Sequence, residues 1–298
     1  MKRHHLLPLV LLPLLLTGCG TEHISEHIFT QALGITGDTE LTLYAKTFSG
    51  DKAFAASGRT AADAIRSGEA AQGGRIFIGH TELLCLDGSR TLADTRDLLM
   101  EQGIPPACKL LYAQVADCIT KADPAAVLES VRMGERDGLL ALTDSSTVLD
   151  EWLGSKETAL LPALSDDGLK MVLLHTNGTC TALSPEAAQG MYWLRRHGKP
   201  DFTLTAETED GLKDVHVLRS TLRKSAVNGT LQYQVTVSTD DCPENAKSVL
   251  RRKILSQCRQ AVSEMLAADA DVIGMAELRA YGGLDDAEGS VEITVTVR

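Results

Sequence analysis

Residues 228–268 read NGTLQYQVTVSTDDCPENAKSVLRRKILSQCRQAVSEMLAA. Two periodicities meet in this run. Leu231, Tyr233, Val235 and Val237 occupy every second position, the repeat of a strand with one buried face. From Glu244 to Ala268 the repeat changes. Val249, Leu250, Ile254, Leu255, Cys258, Val262, Met265 and Leu266 recur at spacings of three and four. That predicts one amphipathic helix of about 25 residues, roughly 37 Å long. Arg251, Arg252, Gln257, Arg259 and Glu264 are expected on its outer side. Asp240-Asp241 stand just ahead of it, where carboxylates favour the helix dipole. A strand followed by a long helix that must cover a sheet indicates an α+β unit.

Reading outward, Asn228-Gly229 is a two-residue hairpin turn. It joins Thr230–Thr239 to a strand over Asp214–Val227, with Phe202–Glu209 as a third strand. On the other side Val291, Ile293, Val295 and Val297 alternate in a closing strand. Residues 196–298 are thus expected to form a C-terminal domain, a strand meander plus one long helix.

Upstream, His27–Ile35 and Leu41–Thr47 predict a hairpin across Thr36-Gly37-Asp38-Thr39. Thr60 with Asp63 caps a helix over Ala61–Ala71. Residues 75–86, RIFIGHTELLCL, are read as one core strand in which Gly79 bends the chain and His80 holds a fixed hydrogen bond. A helix from Thr91 to Gln102, a strand over Lys109–Ala116 and a short helix opened by Asp123-Pro124 follow. Residues 134–168 are punctuated by Gly134, Gly138, Gly154, Pro162 and Gly168, and a subdomain joint is expected there. Asn177-Gly178 marks a further hairpin, and Ser184-Pro185 caps a helix to Arg195. The fold class expected is α+β, in two mixed domains or three, with largely antiparallel sheets and packed helices.

The N-terminus has a different chemistry. Met1-Lys2-Arg3-His4-His5 is basic, and Leu6–Leu16 is eleven residues of Leu, Pro and Val. That core is well short of the roughly 20 residues that span a bilayer, and it reads as a signal peptide over residues 1–18. Leu16-Thr17-Gly18-Cys19 resembles a bacterial lipobox, which implies that Cys19 is lipidated and becomes the first mature residue. Residues 19–195 would then form the N-terminal domain. The net charge of -11 excludes a nucleic-acid partner, because phosphate binding needs clustered Lys and Arg. Aromatics at 4% disfavour a site built on ring stacking. Cys85, Cys108, Cys118, Cys180, Cys242 and Cys258 show no zinc or redox spacing and are read mostly as free thiols.

In order along the chain, four segments resemble the C-subunit lipoproteins of spore germinant receptors, the Ger(x)C or GerAC-like family. They are the lipobox at Leu16–Cys19; Gln31-Ala32-Leu33-Gly34-Ile35; Ala61–Ile65 with Arg75, Phe77, Gly79-His80 and Leu83–Leu86; and Asp271-Val272-Ile273-Gly274-Met275-Ala276-Glu277. The chain departs from the family at Ala276, which stands for a second glycine, and in the short link from Tyr281 to Gly289. The resemblance implies a lipid-anchored, non-enzymatic receptor subunit. It would sit on the outer face of the cell membrane (the spore inner membrane) beside integral A and B subunits, and be needed for germination in response to small nutrients. The alternative is a lipid-anchored extracytoplasmic solute-binding protein.

No catalytic, cofactor-binding or metal residue is assigned. Hydrolase, zinc-protease and phosphate-loop motifs are missing from the sequence. Glu22-His23 and Glu26-His27 repeat at a spacing of four but fall in the expected linker. His175, His197 and His216 stand apart, and Asp166-Asp167 and Asp285-Asp286 read as turns.

Overall fold

The computed structural model describes residues 27–37, 39–48, 52–89, 92–195, 200–284 and 290–298. The expectations for the signal peptide, Cys19, Glu22, His23, Glu26, Asp38, Thr91, His197 and Asp285-Asp286 lie outside them. The fold is α+β, with one large mixed sheet, one small sheet and helices between and around them.

The first hairpin is β1 (His27–Thr36) with β2 (Leu41–Thr47), and β3 (Ala53–Gly58) extends it antiparallel. Helix α1 (Ala61–Gln72) starts at Thr60, whose hydroxyl accepts from the Asp63 N–H, and ends at Gly73 in the left-handed region. Next come β4 (Arg75–Phe77), β5 (Leu83–Leu86) and α2 (Leu92–Arg96), which runs into a π-helical turn over Asp97–Glu101. The series continues with β6 (Lys109–Tyr112), α3 (Val115–Thr120), α4 (Pro124–Arg136), α5 (Ser145–Trp152), β7 (Thr158–Ser165), β8 (Gly168–His175), β9 (Cys180–Ala182) and α6 (Pro185–Arg195). The sheet order is β3-β2-β1-β5-β6-β7-β8-β9, with β4 also on β1. Its flanks are antiparallel hairpins, while β1, β5, β6 and β7 run parallel. A parallel centre is covered on both faces, which is why Leu83–Leu86 are all buried and read as an unbroken apolar run.

The second sheet is β10 (Phe202–Thr208), β11 (Gly211–Val227), β12 (Thr230–Thr239) and β13 (Ser290–Val297). Between β12 and β13 lie the long helix α7 (Glu244–Ala267) and the short α8 (Met275–Tyr281). Asn228 and Gly229 both take positive φ, 50° and 78°, as the tight hairpin turn requires. Strands β10 to β12 are the expected meander. Strand β13 pairs parallel to β12, because α7 carries the chain back across the sheet before it re-enters.

One face of the first sheet, with Leu33, Ile35, Leu84, Leu110 and Leu161, packs on residues of α1, the π-helical turn and α5. The other face belongs to a larger core that takes in α6, α7 and the inner residues of the second sheet, among them Met191, Trp193, Tyr233, Ile254 and Cys258. Each such side chain contributes about 1.5–3 kcal/mol on full burial.

Four sequence expectations change. Residues 75–86 are two strands, because β1 pairs first with β4 and then, past a bulge between Thr30 and Ala32, with β5. The break is a turn in which the Thr81 N–H donates to the Ile78 carbonyl at 3.0 Å, and the Thr81 and Thr30 hydroxyls meet at 2.9 Å. His80 is therefore exposed, its ring 5.2 Å from that of Phe77, and has no core hydrogen bond. The Lys109–Ala116 strand stops at Tyr112, and Val115 opens α3. On α7, Gln257 is buried and Leu266 is 51% exposed, the reverse of the stripe's prediction. The glycine-rich stretch 134–168 holds both α5 and β7.

Candidate functional site

A group of ionisable side chains joins α5, α6, β11, β12 and the start of α8. Its deepest pair is Glu151 on α5 with Arg195 at the end of α6, whose side chains keep 12% and 8% exposure. Glu151 Oε2 also accepts from the Leu160 N–H at 2.9 Å. Burial pushes the Glu151 carboxyl up to about 7, while Arg195 and the Leu160 N–H pull the other way. Lys224 belongs to the exposed edge of β11, yet its Nζ donates to the Ile273 carbonyl at 2.6 Å and lies 6.0 Å from the Tyr233 ring centroid. Burial of that ammonium end lowers its pKa, and Asp271 is the strongest influence raising it.

The segment Asp271–Glu277 is a helix-start device. Asp271 accepts from the Met275 N–H at 2.8 Å and the Ala276 N–H at 2.7 Å, satisfying donors that a helix N-terminus leaves free. Gly274 takes φ 71°, and a Cβ on it would lie 3.1 Å from Glu277 Oε2 and 3.7 Å from Lys224 Nζ. A side chain would thus be strained and would crowd the charges. Val272, Ile273 and Met275 anchor the turn in the core. Tyr233 Oη, Arg195 Nη1 and Arg279 Nε are buried with no hydrogen-bond partner. The Tyr233 hydroxyl is raised by burial, with Asp271 adding to it.

The carboxylates Glu151, Asp271 and Glu277 balance the cations Arg195, Lys224 and Arg279 in this junction. It can hold helices in register, which is the best-attested use of buried ion pairs. Among the described residues no group of three or more His, Cys, Asp or Glu is placed to hold a metal ion. No helix among them is long and apolar enough to cross a membrane.

The other residues noted in the sequence do not converge. His175 bridges elements, Nδ1 at 2.7 Å from Thr158 Oγ1 and Nε2 at 3.1 Å from the Ala268 carbonyl. His216 lies 3.6 Å from Asp201 at the surface. Asp167 pairs with Lys170 beside the Gly168 turn. The six cysteines are thiols; Cys85 and Cys118 touch, Sγ to Sγ 2.9 Å, and the hydrogen bond and burial raise Cys85. Burial pushes Cys108 and Cys258 up to about 12, which makes them inert at neutral pH.

Two of the family-like segments lie side by side. Gly34 of β1 pairs with Cys85 of β5 in parallel register. A Cβ on Gly34 would collide with Val115 Cγ1 and come within 3.2 Å of Ile119, so the glycine lets α3 lie directly on the sheet. A recess of about 660 Å³ lies away from the charged junction. It lies between α4, β8 and α6, lined by apolar groups such as Met133, Leu139 and Leu169, with Asp137, Lys170 and Gln189 as polar ones. Sequence reading missed Glu151, Arg195, Lys224 and Tyr233. Each is one polar residue on an otherwise ordinary element, and only the fold brings them together.

No protein-family model matches the chain, and no curated protein matches it. Among solved structures it is similar to one described as the crystal structure of the GerBC protein. The identity is 12%, with 89% of this chain and 96% of that chain covered, at a TM-score of 0.46. A likeness that distant carries no argument about activity.

Proposed function

We propose that this chain is a lipid-anchored, non-enzymatic subunit of a nutrient germinant receptor, acting with two integral membrane subunits on the outer face of the membrane. The observation that carries the reading is the set of ordered family-like segments. The described ones coincide with demanding points of the fold. Gly34 allows a helix onto the sheet, Leu83–Leu86 form the strand beside it, and Asp271–Glu277 build the turn into α8. Sequence features that resemble a family by chance have no reason to fall on such positions. Cys19 is the residue we assign to lipid attachment, after cleavage of residues 1–18.

The test is genetic and biochemical. A tagged chain purified from spore inner membrane is expected to bring down two polytopic proteins, and its deletion to delay germination on a particular nutrient. Normal germination on every nutrient, in a strain stripped of related receptors, would reject the reading. Cys19→Ala is expected to leave the chain uncleaved or released, and unchanged, lipid-modified membrane retention would contradict the anchor.

The 660 Å³ recess favours the solute-binding alternative, since its apolar wall with Asp137, Lys170 and Gln189 has the composition of a small-molecule site. Calorimetry with single nutrients decides between them. Tight binding to the isolated chain, lost on Leu139→Asp, would replace the scaffold reading.

A further inference from the structure

Four of the chain's five phenylalanines gather at one end of the first sheet. Phe29 and Phe77 are direct neighbours on β1 and β4, with ring centroids 5.4 Å apart. His80 packs against both, and His27 lies 6.2 Å from each. Phe48 is tied to this end by its N–H, which donates to the Phe29 carbonyl at 3.1 Å. Phe48 and Phe54 line a recess of about 470 Å³ with His27, Ile28 and Phe29. Phe48 is 48% exposed and Phe77 40%. In a chain with only 4% aromatics, an exposed cluster of this kind marks a surface that meets something apolar.

Where the chain enters indicates what that is. His27, at this end, continues directly from residues 1–26, which include the apolar run Leu6–Leu16 and Cys19. Eight residue steps separate Cys19 from His27, a span of at most about 28 Å. Among the described residues Lys52 lines the recess and no carboxylate does. The chain as a whole carries -11, which anionic headgroups repel. This end has the chemistry of a peripheral membrane contact, rings for the acyl boundary and a cation for the headgroups.

We infer that the Phe29–Phe48–Phe54–Phe77 end of the first sheet rests in the bilayer interface and fixes the orientation of the body on the membrane. The inference rests on the lipid-anchor reading above and adds a second contact to it. A lipidated Cys19 tethers the chain but does not orient the body beyond it, so a second apolar contact has a physical use.

The test uses the full chain, processed in cells, with vesicles of phosphatidylcholine and phosphatidylglycerol carrying brominated acyl chains. Phe48→Trp and Phe77→Trp supply reporters at exposed positions, against a background of buried Trp152 and Trp193. Leu212→Trp, 71% exposed on the second sheet, is the control. In the floated fraction, quenching of roughly twofold is expected at positions 48 and 77 and none at 212. A lipid-bearing chain that floats with both reporters unquenched removes this inference and leaves the anchor. Equal quenching at 212 removes it too. Reporters that ignore lipid but shift with protein concentration assign the end to a second copy and overturn the membrane contact. A chain without lipid by intact mass that still floats with both quenched keeps the contact and removes the anchor. No flotation removes both.

Discussion

Helix α6 is held by two seams of opposite character. Midway along it, Gly190 meets α7 backbone to backbone. A Cβ there would collide with the Gln257 carbonyl oxygen and sit 2.6 Å from its carbon and 2.7 Å from Ala261 Cβ. Trp193 closes the same seam, its indole N–H donating to Gln257 Oε1 at 3.0 Å. At its end, Arg195 enters the charged junction with Glu151. The first seam is defined by shape and tolerates no added atom. The second is defined by charge and tolerates no removed one. The same helix therefore has two distinct ways to fail, and each can be probed without touching the other.

The largest effect is expected at the ionic seam. Arg195→Ala leaves Glu151 buried without its cation, and at about pH 8, where the wild-type carboxyl is ionised, the change is expected to cost up to about 4 kcal/mol. Guanidinium unfolding measures it. Glu151→Gln with Arg195→Met should recover much of that loss, because the cost is the uncompensated charge rather than the missing contact. A double variant no more stable than Arg195→Ala would show that the pair is not the unit that matters.

The glycine seam comes next. Gly190→Ala is expected to cost about 3 kcal/mol, since the atom it meets is backbone and cannot give way. Gly68→Ala on α1 is the comparison. Its new methyl would meet Ile76 Cδ1 at 2.8 Å, the mobile tip of a side chain. Relief of the helix-interior glycine offsets about 1 kcal/mol there. Equal losses at the two positions would break the distinction between hard and soft neighbours.

The same contrast explains what could be read in the sequence. Local signals survive folding unchanged. Asn177-Gly178 and Asn228-Gly229 make their turns, Thr60, Asp123 and Ser184 cap their helices, and the α7 stripe buries Leu250, Ile254, Cys258 and Met265. Both seams are pairings between distant residues. Gln257 and Trp193 are 64 positions apart, and Glu151 and Arg195 are 44. A buried glutamine looks like a surface residue until its tryptophan arrives. The split of residues 75–86 was hidden for a related reason, because it depends on a bulge in β1 that no residue of that run encodes. The family-like segments were legible as patterns, but the reasons for Gly34 and Gly274 lie in α3 and Lys224.

The smallest of the three effects is a pH dependence confined to the ionic seam. Burial holds the Glu151 carboxyl at about 7, above its ordinary 4.5. Between those values the folded chain binds a proton that the unfolded chain has released, so this group's contribution to stability falls as pH rises through the window. The expected loss is about 2 kcal/mol between roughly pH 5 and pH 7. Asp144 and Glu264 oppose it at the acid end, because their lowered values contribute stability that is lost as pH falls. The measurement is therefore a difference: unfolding free energies of the wild-type chain and Glu151→Gln, taken across that range. The gap between the two curves should change steadily from acid to neutral pH, with the wild-type chain losing ground. A constant gap would mean that Arg195 and the Leu160 N–H keep Glu151 ionised throughout. The two seams would then differ in geometry but not in their response to protons.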